Sequence, residues 1–327
     1  MTSGLYPLTF LPVFKDRVWG GRRLEKLYGK ALPPGVPIGE SWEITDRPEG
    51  VSVVANGPLA GRDLRWLMEN HAGALLGDSR PSAGRFPLLV KILDAQEKLS
   101  LQVHPPAHKA AELHGEPKTE VWYVADATVD ADLFVGLRRG ATREEFERRI
   151  RDGSVAECFH RIPVQRGDSM FLPSGRAHAL GAGNVIIEIQ QNSDTTYRVF
   201  DWNRVGLDGK PRELHIPQAL ASIDFVDFEP ALAPAEWRTV GKAQTRRLAE
   251  CDLFAVNLLR LSTPDEMLLD GNRVQIVAVT EGELSVSAGR SEVRLRPGSF
   301  CVVPAVCVPQ TKLSSAGRVT FLHALAK

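Results

Sequence analysis

The stretch Leu99-Ser100-Leu101-Gln102-Val103-His104-Pro105 alternates apolar and polar residues. Such alternation is typical of a β-strand, because successive side chains of a strand point to opposite faces. It predicts a strand with Ser100, Gln102 and His104 on one face and the apolar residues on the other. Gln102 and His104 would then present two donor groups side by side, which is half of a metal site. The other half is expected downstream, at Glu120 and His178.

A second pattern occurs twice along the chain. Residues 167–173 read Gly-Asp-Ser-Met-Phe-Leu-Pro, and residues 298–304 read Gly-Ser-Phe-Cys-Val-Val-Pro. Each copy has a glycine turn, a short apolar strand and a proline, which favours duplication of a β-barrel unit. The first copy leads on to His178, whereas the second has no histidine at the matching position. We therefore expect the first unit to hold a metal and the second to be degenerate.

The rest of the chain predicts a mainly β protein with few helices. Many short β-branched or aromatic runs bounded by Gly, Pro or Asp are typical of barrels and jelly rolls. The predicted strands are 121–124, 169–172, 185–190, 273–280, 284–288 and 299–303. Helices are predicted at 66–76, 106–114, 143–151 and 215–223, the third capped by Thr142 with Glu145 as capping-box partner and Gly153 as the stop. A Pro/Ala-rich stretch at 229–235 predicts a linker between domains 1–229 and 236–327.

Composition limits the possible partners. Lys plus Arg equals Asp plus Glu at 40 each among 327 residues, so a nucleic acid or an acidic membrane surface is not expected as the main partner. The first seven residues show no signal-peptide pattern, and no apolar run approaches the length of a membrane span. The four cysteines form no CxxC pair, which favours free thiols and a cytoplasmic location.

The motifs resemble those of a known family. Gly167-x5-Pro173-x-Gly175-x2-His178 is similar to the second motif of the cupin superfamily, and Gln102-x-His104 followed by Lys118-Thr119-Glu120 resembles the type I mannose-6-phosphate isomerases. The resemblance extends over nearly the whole chain and is closest to the short bacterial form. It includes residues 19–21, 39–43, 89–105, 118–123, 178–183 and 197–202.

This resemblance implies two cupin barrels and one Zn²⁺ per chain, held by Gln102, His104, Glu120 and His178. The donor types suit zinc, and a neutral glutamine in place of a carboxylate leaves the metal a stronger Lewis acid. Taken singly, each residue has an ordinary alternative role in hydrogen bonding or on the surface. Their occurrence together, in the order of the family, favours the metal site.

The resemblance also implies the reaction: D-mannose 6-phosphate and D-fructose 6-phosphate interconvert through a cis-enediol(ate). Four residues are candidates for the chemistry, namely Lys118, Glu188, Asp194 and Arg198. Near a divalent cation the pKa of Lys118 should fall, which would help proton transfer. Arg198 is permanently charged, so stabilisation of an oxyanion or substrate anchoring suits it better than base catalysis.

Each of these candidates has an ordinary alternative. Lys118 and Glu188 could be solvated strand residues, Asp194 could serve only its turn, and Arg198 could pair with Asp194 or Asp201. Arg204 and Lys210 are candidates to support the phosphate.

Two other functions remain open at this stage. One is a metal-dependent cupin oxygenase, which would prefer a redox iron and a histidine-rich site. The other is a non-catalytic protein that binds sugar phosphates. The expected partner is in every case a small molecule, with no nucleic acid or membrane, and the sequence predicts no oligomeric state.

Overall fold

A computed structural model describes residues 4–262 and 265–327, and its secondary structure is mainly β, as predicted. Met1–Ser3, part of the stretch read for a signal peptide, lie outside the described residues. The strands up to residue 200 are β1 (Phe10–Leu11), β2 (Val13–Gly21), β3 (Ile38–Ile44), β4 (Asp46–Arg47), β5 (Gly50–Val51), β6 (Val53–Val54), β7 (Leu88–Ala95), β8 (Leu101–Val103), β9 (Glu120–Ala127), β10 (Asp132–Leu137), β11 (Phe159–Pro163), β12 (Ser169–Leu172), β13 (His178–Leu180), β14 (Asn184–Gln191) and β15 (Tyr197–Phe200). The later strands are β16 (Arg238–Val240), β17 (Ala243–Glu250), β18 (Phe254–Leu261), β19 (Asp265–Leu268), β20 (Gln275–Glu281), β21 (Leu284–Ala288), β22 (Ser291–Leu295), β23 (Phe300–Val303), β24 (Thr311–Ser315) and β25 (Val319–Ala326).

The helices are short, and four of them lie where the sequence predicts them. They are α1 (Arg23–Tyr28), α2 (Leu64–Leu76), α3 (Ala107–Ala110), α4 (Arg143–Asp152) and α5 (Ile216–Ser222). Three 3₁₀ turns complete the set, at Gly57–Leu59, Val155–Cys158 and Ala305–Gln310. The sequence analysis did not predict α1, because six residues are too few to establish a helical period.

The predicted ends of α4 are confirmed, except for one detail. Thr142 Oγ1 accepts the Glu145 N–H at 3.1 Å, and Gly153 ends the helix in the left-handed conformation. The Glu145 carboxylate does not close a capping box. It accepts instead from Arg138 and Arg149, because two guanidiniums are stronger donors than one backbone N–H.

Contacts along the chain define two compact units. One consists of residues 14–41 and 91–232. The other combines the described residues up to Val13 with residues 42–90 and 233–327, so that the division falls within β3 and β7. The predicted domains 1–229 and 236–327 stay a prediction.

Two sheets build the unit of residues 14–41 and 91–232. The strand order is β11-β10-β13-β8-β15 in the five-stranded sheet and β12-β9-β14-β7-β3-β2 in the six-stranded one. Leu133 and Leu180 from the first sheet share a buried core with Trp122 and Met170 from the second. The sheets therefore pack face to face, which is the predicted cupin-type barrel.

The outer face of the five-stranded sheet is covered by helices. Leu101 and Val103 of β8 share a buried cluster with Phe146 of α4 and Ala219 of α5. The intervening Gln102 points to the other face, into the barrel, where it lines a cleft. The alternation predicted for this strand is confirmed. Its apolar face packs against the layer formed by α4 and α5.

The other unit has the same plan. Its sheets have the orders β16-β17-β18-β25-β20-β23 and β19-β24-β21-β22, and Val277 and Phe321 of the first share a core with Val286 and Leu313 of the second. Gly167 and Gly298, which begin the two repeats, have φ of 95° and 78°, and the strands that follow, β12 and β23, both lie at the edge of a six-stranded sheet. The two repeats thus occupy matching places in two barrels.

Beyond the repeats the two copies diverge. After β12 a turn leads directly to His178, whereas after β23 the chain enters the 3₁₀ turn Ala305–Gln310. All four cysteines are free thiols, as predicted. A search of the described helices finds none with the length and apolar character needed to cross a membrane.

Candidate metal centre and active-site cleft

Three buried side chains converge inside the barrel of residues 14–41 and 91–232. The ligand atoms of His104, Glu120 and His178 all lie within 4.8 Å of one another. Glu120 Oε1 is 3.3 Å from His178 Nε2 and 3.7 Å from His104 Nε2. His178 begins β13, Glu120 begins β9 and His104 directly follows β8, so strand ends from both sheets build the cluster.

Backbone carbonyls orient both imidazoles. His104 Nδ1 lies 2.7 Å from the Thr195 carbonyl oxygen, and His178 Nδ1 lies 2.9 Å from that of Arg176. A carbonyl oxygen only accepts, so each Nδ1 carries the hydrogen and each Nε2 presents its lone pair towards Glu120. This arrangement, in which the second nitrogen donates to a carbonyl, is the usual support of a metal-ligating histidine.

Gln102 is the fourth member of the group. It is the cross-strand partner of His178, and its amide nitrogen lies 3.3 Å from His178 Nε2. Rotation of the amide exchanges nitrogen and oxygen, so Oε1 can equally face the cluster. The structure therefore brings together all four of the residues predicted as ligands.

The electrostatics of the cluster suit a cation. His104 Nε2 and Glu120 Oε1 are buried and have no hydrogen-bond partner among the described residues. Burial lowers the pKa of His104 and lowers that of His178 to about 3, so both rings are neutral. Burial alone would raise the pKa of Glu120, but the charge of Lys118 and the contact with His104 outweigh burial and hold this pKa well below its usual range. Two neutral imidazoles, a carboxylate and an amide fit Zn²⁺, which would satisfy both orphaned atoms.

Lys118 and Glu188 lie beside this cluster, and both are buried. Lys118 Nζ is 2.7 Å from Glu120 Oε2 and 3.7 Å from Glu188 Oε1. Burial would lower the pKa of Lys118, but the carboxylates of Glu120 and Glu188 outweigh it and raise it. The fall in the pKa of Lys118 expected beside a bound divalent cation stays a prediction. Burial and the charge of Glu120 raise the pKa of Glu188, whose Oε2 accepts the Trp122 Nε1–H at 2.8 Å.

A row of charged side chains crosses the six-stranded sheet, beginning at Glu188. Lys91 Nζ lies 3.8 Å from Glu188, 3.6 Å from Glu40 and 3.4 Å from Asp194. Arg17 Nε donates to Glu40 Oε1 at 2.6 Å. Strands β14, β7, β3 and β2 therefore contribute alternating charges to one face. The sequence analysis missed Lys91, although a lysine within the apolar run Leu88-Leu89-Val90-Lys91-Ile92-Leu93 was a signal, because a buried charge needs partners.

These groups line one open cleft of about 580 Å³. This volume suits a small molecule. Asp194 and Arg198 also line it, and Arg198 is the cross-strand partner of Gln102 on β15. The cleft-lining residues with charged side chains are Asp16, Arg17, Glu40, Lys91, Lys118, Glu188, Asp194, Arg198, Asp208 and Arg212.

Arg198 forms no salt bridge with any residue that the structure describes. Its Nη1 donates to the Glu213 carbonyl at 2.8 Å, its buried Nε has no partner among the described residues, and no described carboxylate lies within ion-pair distance. The alternative of pairing with Asp194 or Asp201 is therefore wrong. Asp201 instead accepts from Arg204 and Arg212. Neither Arg204 nor the exposed Lys210 lines the cleft.

Two cupin-type barrels, with a buried His–Glu–His group beside a glutamine that lines a charged cleft, define the class of metal-binding cupin enzymes. Comparison with known proteins narrows the class. The family model for the type I phosphomannose isomerase catalytic domain matches residues 8–135. A mannose-6-phosphate isomerase of Streptococcus mutans is 38% identical over 300 residues, covering 91% of this chain and 92% of the relative. The mannose-6-phosphate isomerase ManA of Bacillus subtilis is 38% identical over 304 residues, covering 91% and 93%.

Solved structures agree. A crystal structure of the Bacillus subtilis mannose 6-phosphate isomerase superposes with a TM-score of 0.88 at 30% identity, covering 98% of this chain and 99% of the other. A zinc-bound mannose 6-phosphate isomerase shares the fold, with a TM-score of 0.78 at 19% identity. The chain belongs to the type I mannose-6-phosphate isomerase family.

Proposed function

We propose that this enzyme interconverts D-mannose 6-phosphate and D-fructose 6-phosphate, with one Zn²⁺ held by Gln102, His104, Glu120 and His178. The observation that carries the proposal is the convergence of two Nε2 lone pairs and an orphaned carboxylate oxygen beside Gln102, which lines the cleft. Zinc in this position would polarise substrate oxygens and stabilise the negative charge that develops on them.

The isomerisation moves a proton between C1 and C2, and buried acid–base groups are needed to carry it. Glu188 suits this role because its pKa is raised and because the Trp122 indole fixes one carboxylate oxygen. Lys118 lies between Glu120 and Glu188, so it can exchange a proton with Glu188 and remain charged between turnovers. Asp194 faces Lys91 at the cleft surface and is a further candidate, for opening of the sugar ring.

Arg198 is proposed to stabilise the enediolate. It is one strand away from Gln102, and strand neighbours lie about 4.8 Å apart, so its guanidinium is close to the metal group. Its Nε and Nη2 have no described partner and can donate to substrate oxygens. Because the guanidinium keeps its proton, Arg198 acts through its charge and not as a base.

The two rival functions differ from this proposal in specific features. His104, Glu120 and His178 by themselves also match the two-histidine, one-carboxylate set of non-haem iron oxygenases. Gln102 as a fourth donor and the buried lysines beside the group favour the isomerase. A non-catalytic sugar-phosphate-binding protein would have no use for the buried Lys118–Glu188 pair.

A coupled assay separates these functions. The protein is freed of metal with a chelator, reloaded with Zn²⁺ or Fe²⁺, and given mannose 6-phosphate while formation of fructose 6-phosphate is followed. The proposal expects fructose 6-phosphate with zinc and no consumption of oxygen. Binding of mannose 6-phosphate without turnover would support the non-catalytic function, and oxygen uptake with iron would support the oxygenase.

A further inference from the structure

The cleft contains a second arginine that the proposed chemistry does not use. Arg212 lines the cleft, and Asp201 holds it with two hydrogen bonds, from Nε at 2.7 Å and from Nη2 at 2.8 Å. This leaves Arg212 Nη1 without a partner among the described residues. The Asp201 carboxylate is nearly buried, with 6% of its side chain exposed, so it fixes the guanidinium firmly.

The charges around Asp201 are unbalanced. Arg204 also donates to Asp201 Oδ1, at 2.9 Å. Burial lowers the pKa of Arg198, and the nearby positive charge of Arg212 lowers it further. Arg204 has a second carboxylate partner, Glu97, at 3.5 Å. In the described part of the chain, Arg198 and Arg212 have no such additional carboxylate within ion-pair distance. The guanidiniums of Arg198 and Arg212 therefore share the charge of one carboxylate with Arg204, and both line the cleft, where they would favour a dianion.

The surroundings of Arg212 keep it in place. The backbone that follows it is tied to β15, since the His215 N–H donates to the Arg198 carbonyl at 2.8 Å. Asp208 also lines the cleft, but its carboxylate accepts the Lys210 N–H at 3.0 Å and thus serves the turn. Arg212 is therefore a fixed cation that lines the cleft and does not belong to the metal group.

The position of Arg212 also fits the length of the substrate. Gln102 lies one strand from His178, and Arg198 lies one strand further, so about 10 Å separates the backbones that carry His178 and Arg198. Beyond Arg198 there is no further strand in this sheet, because β15 is its edge. In an open-chain hexose 6-phosphate the reacting carbons are at one end and the phosphate is at the other. With C1 and C2 at the metal group, the phosphate extends towards this edge.

We infer that Arg212, positioned by Asp201, binds the phosphate group and sets the preference for phosphorylated sugars, and that Arg204 does not. This inference rests on the proposed function. It assigns the phosphate contact to a residue that the sequence analysis passed over in favour of Arg204 and Lys210. Asp201 is then a positioning residue that acts through Arg212.

The test uses the zinc-loaded full chain and sorbitol 6-phosphate, which has the phosphate but no carbonyl group and cannot react. Arg212→Gln should weaken its affinity, measured by calorimetry, about 10- to 100-fold, because a charged hydrogen-bonding partner is lost. The KM for mannose 6-phosphate should rise by a similar factor while turnover of unphosphorylated mannose is unchanged. Arg204→Gln is the matched control, since it removes the other arginine from the same carboxylate, and its affinity should stay within about twofold of the wild type.

A positioning role for Asp201 has its own readout. Asp201→Asn should raise the KM for mannose 6-phosphate and leave kcat near that of the wild type, with zinc content unchanged. Arg212→Lys, which keeps the charge but loses the fork, should fall between wild type and Arg212→Gln. If Arg212→Gln reduces activity equally on mannose and mannose 6-phosphate, or if Arg204→Gln loses as much affinity, the inference is overturned. If the wild type isomerises neither sugar, the proposed function fails, and the sorbitol 6-phosphate comparison still decides the role of Arg212.

Discussion

At the scale of single residues, the site depends on how each reactive atom is held by a neighbour. Backbone carbonyls fix which nitrogen of His104 and His178 carries the hydrogen. An indole fixes one oxygen of Glu188. Burial then makes each of these contacts stronger than it would be in water, because the local dielectric constant is low. The chemistry therefore depends on the neighbouring groups that orient the reactive side chains as much as on those side chains themselves.

Removal of the acid–base groups should affect turnover more than binding. Lys118→Met and Glu188→Gln are each expected to lower kcat by about 100-fold or more, because general acid–base catalysis typically contributes this much. Steady-state kinetics and zinc analysis of the purified variants measure this. A raised KM with normal kcat would show that Lys118 and Glu188 only bind substrate.

Arg198 should behave differently from Arg212. Arg198→Lys keeps the charge but loses the donor fork, so kcat should fall strongly while KM stays near that of the wild type. Kinetics with mannose 6-phosphate make the comparison. A variant that keeps normal turnover and affinity would mean that Arg198 is structural, and a raised KM with loss of preference over mannose would make it a phosphate anchor.

Much of the site could be predicted from the sequence, but not its surroundings. The four donor residues stand in motifs with fixed local spacing, so their order along the chain was informative. Lys91, Glu40 and Arg212 have no such local pattern. Pairing of distant strands brings Lys91 and Glu40 to the cleft, and a loop beyond β15 brings Arg212. The two carboxylates that face Lys118, those of Glu120 and Glu188, were likewise not predictable as its partners, because only the fold sets their distances.

At the scale of elements, short strands and caps were the most predictable features. The runs 169–172 and 284–288 match β12 and β21 at both ends, since glycine, proline or charged turns bound them. The capping contact of Thr142 was likewise local and correct. The first helix was missed, because tertiary contacts stabilise it: the Arg23 N–H donates to the buried Asp94 carboxylate at 2.7 Å.

The cap of α4 should have a measurable effect on stability. Thr142→Ala removes the acceptor of the Glu145 N–H and is expected to lower the free energy of unfolding by about 1 kcal/mol. Thr142→Ser, which keeps the hydroxyl, is the control and should lie near the wild type. Urea unfolding compares the three proteins, and equal midpoints for alanine and serine would show that the cap contributes nothing.

In the molecule as a whole, the same barrel plan occurs in two units whose interiors differ. In the unit of residues 14–41 and 91–232 the barrel interior carries a charged cleft. In the other unit the interior around β20 and β25 is an apolar core. His323 of β25 nevertheless lies partly buried there, with its Nε2–H donating to Gln275 Oε1 at 2.7 Å. A neutral histidine in such a site makes the stability of the chain sensitive to acid.

The sign of this effect follows from the pKa of His323. Burial lowers it from 6.5 to about 4, so the unfolded chain binds a proton that the folded chain excludes. The contribution of neutral His323 to the free energy of unfolding is complete above pH 6.5 and is lost as the pH falls towards 4. This loss should lower the free energy of unfolding of the wild type by roughly 2 kcal/mol at pH 5. His323→Gln cannot titrate, so the stability difference between it and the wild type should change by that amount between pH 7 and 5. Urea unfolding with chelator present measures this, and parallel pH curves would contradict it.

The proposed isomerase activity depends on one zinc ion per chain, held by Gln102, His104, Glu120 and His178. The most direct measurement is a titration of Zn²⁺ into the metal-free protein, with bound metal and fructose 6-phosphate formation followed together. Activity should rise with bound zinc and level off at one ion per chain, while His104→Ala and His178→Ala neither bind the ion nor gain activity and the exposed His108→Ala matches the wild type. Full activity without metal would show that the ion is not needed, and full metal occupancy in the His104 and His178 variants would show that these residues do not hold it.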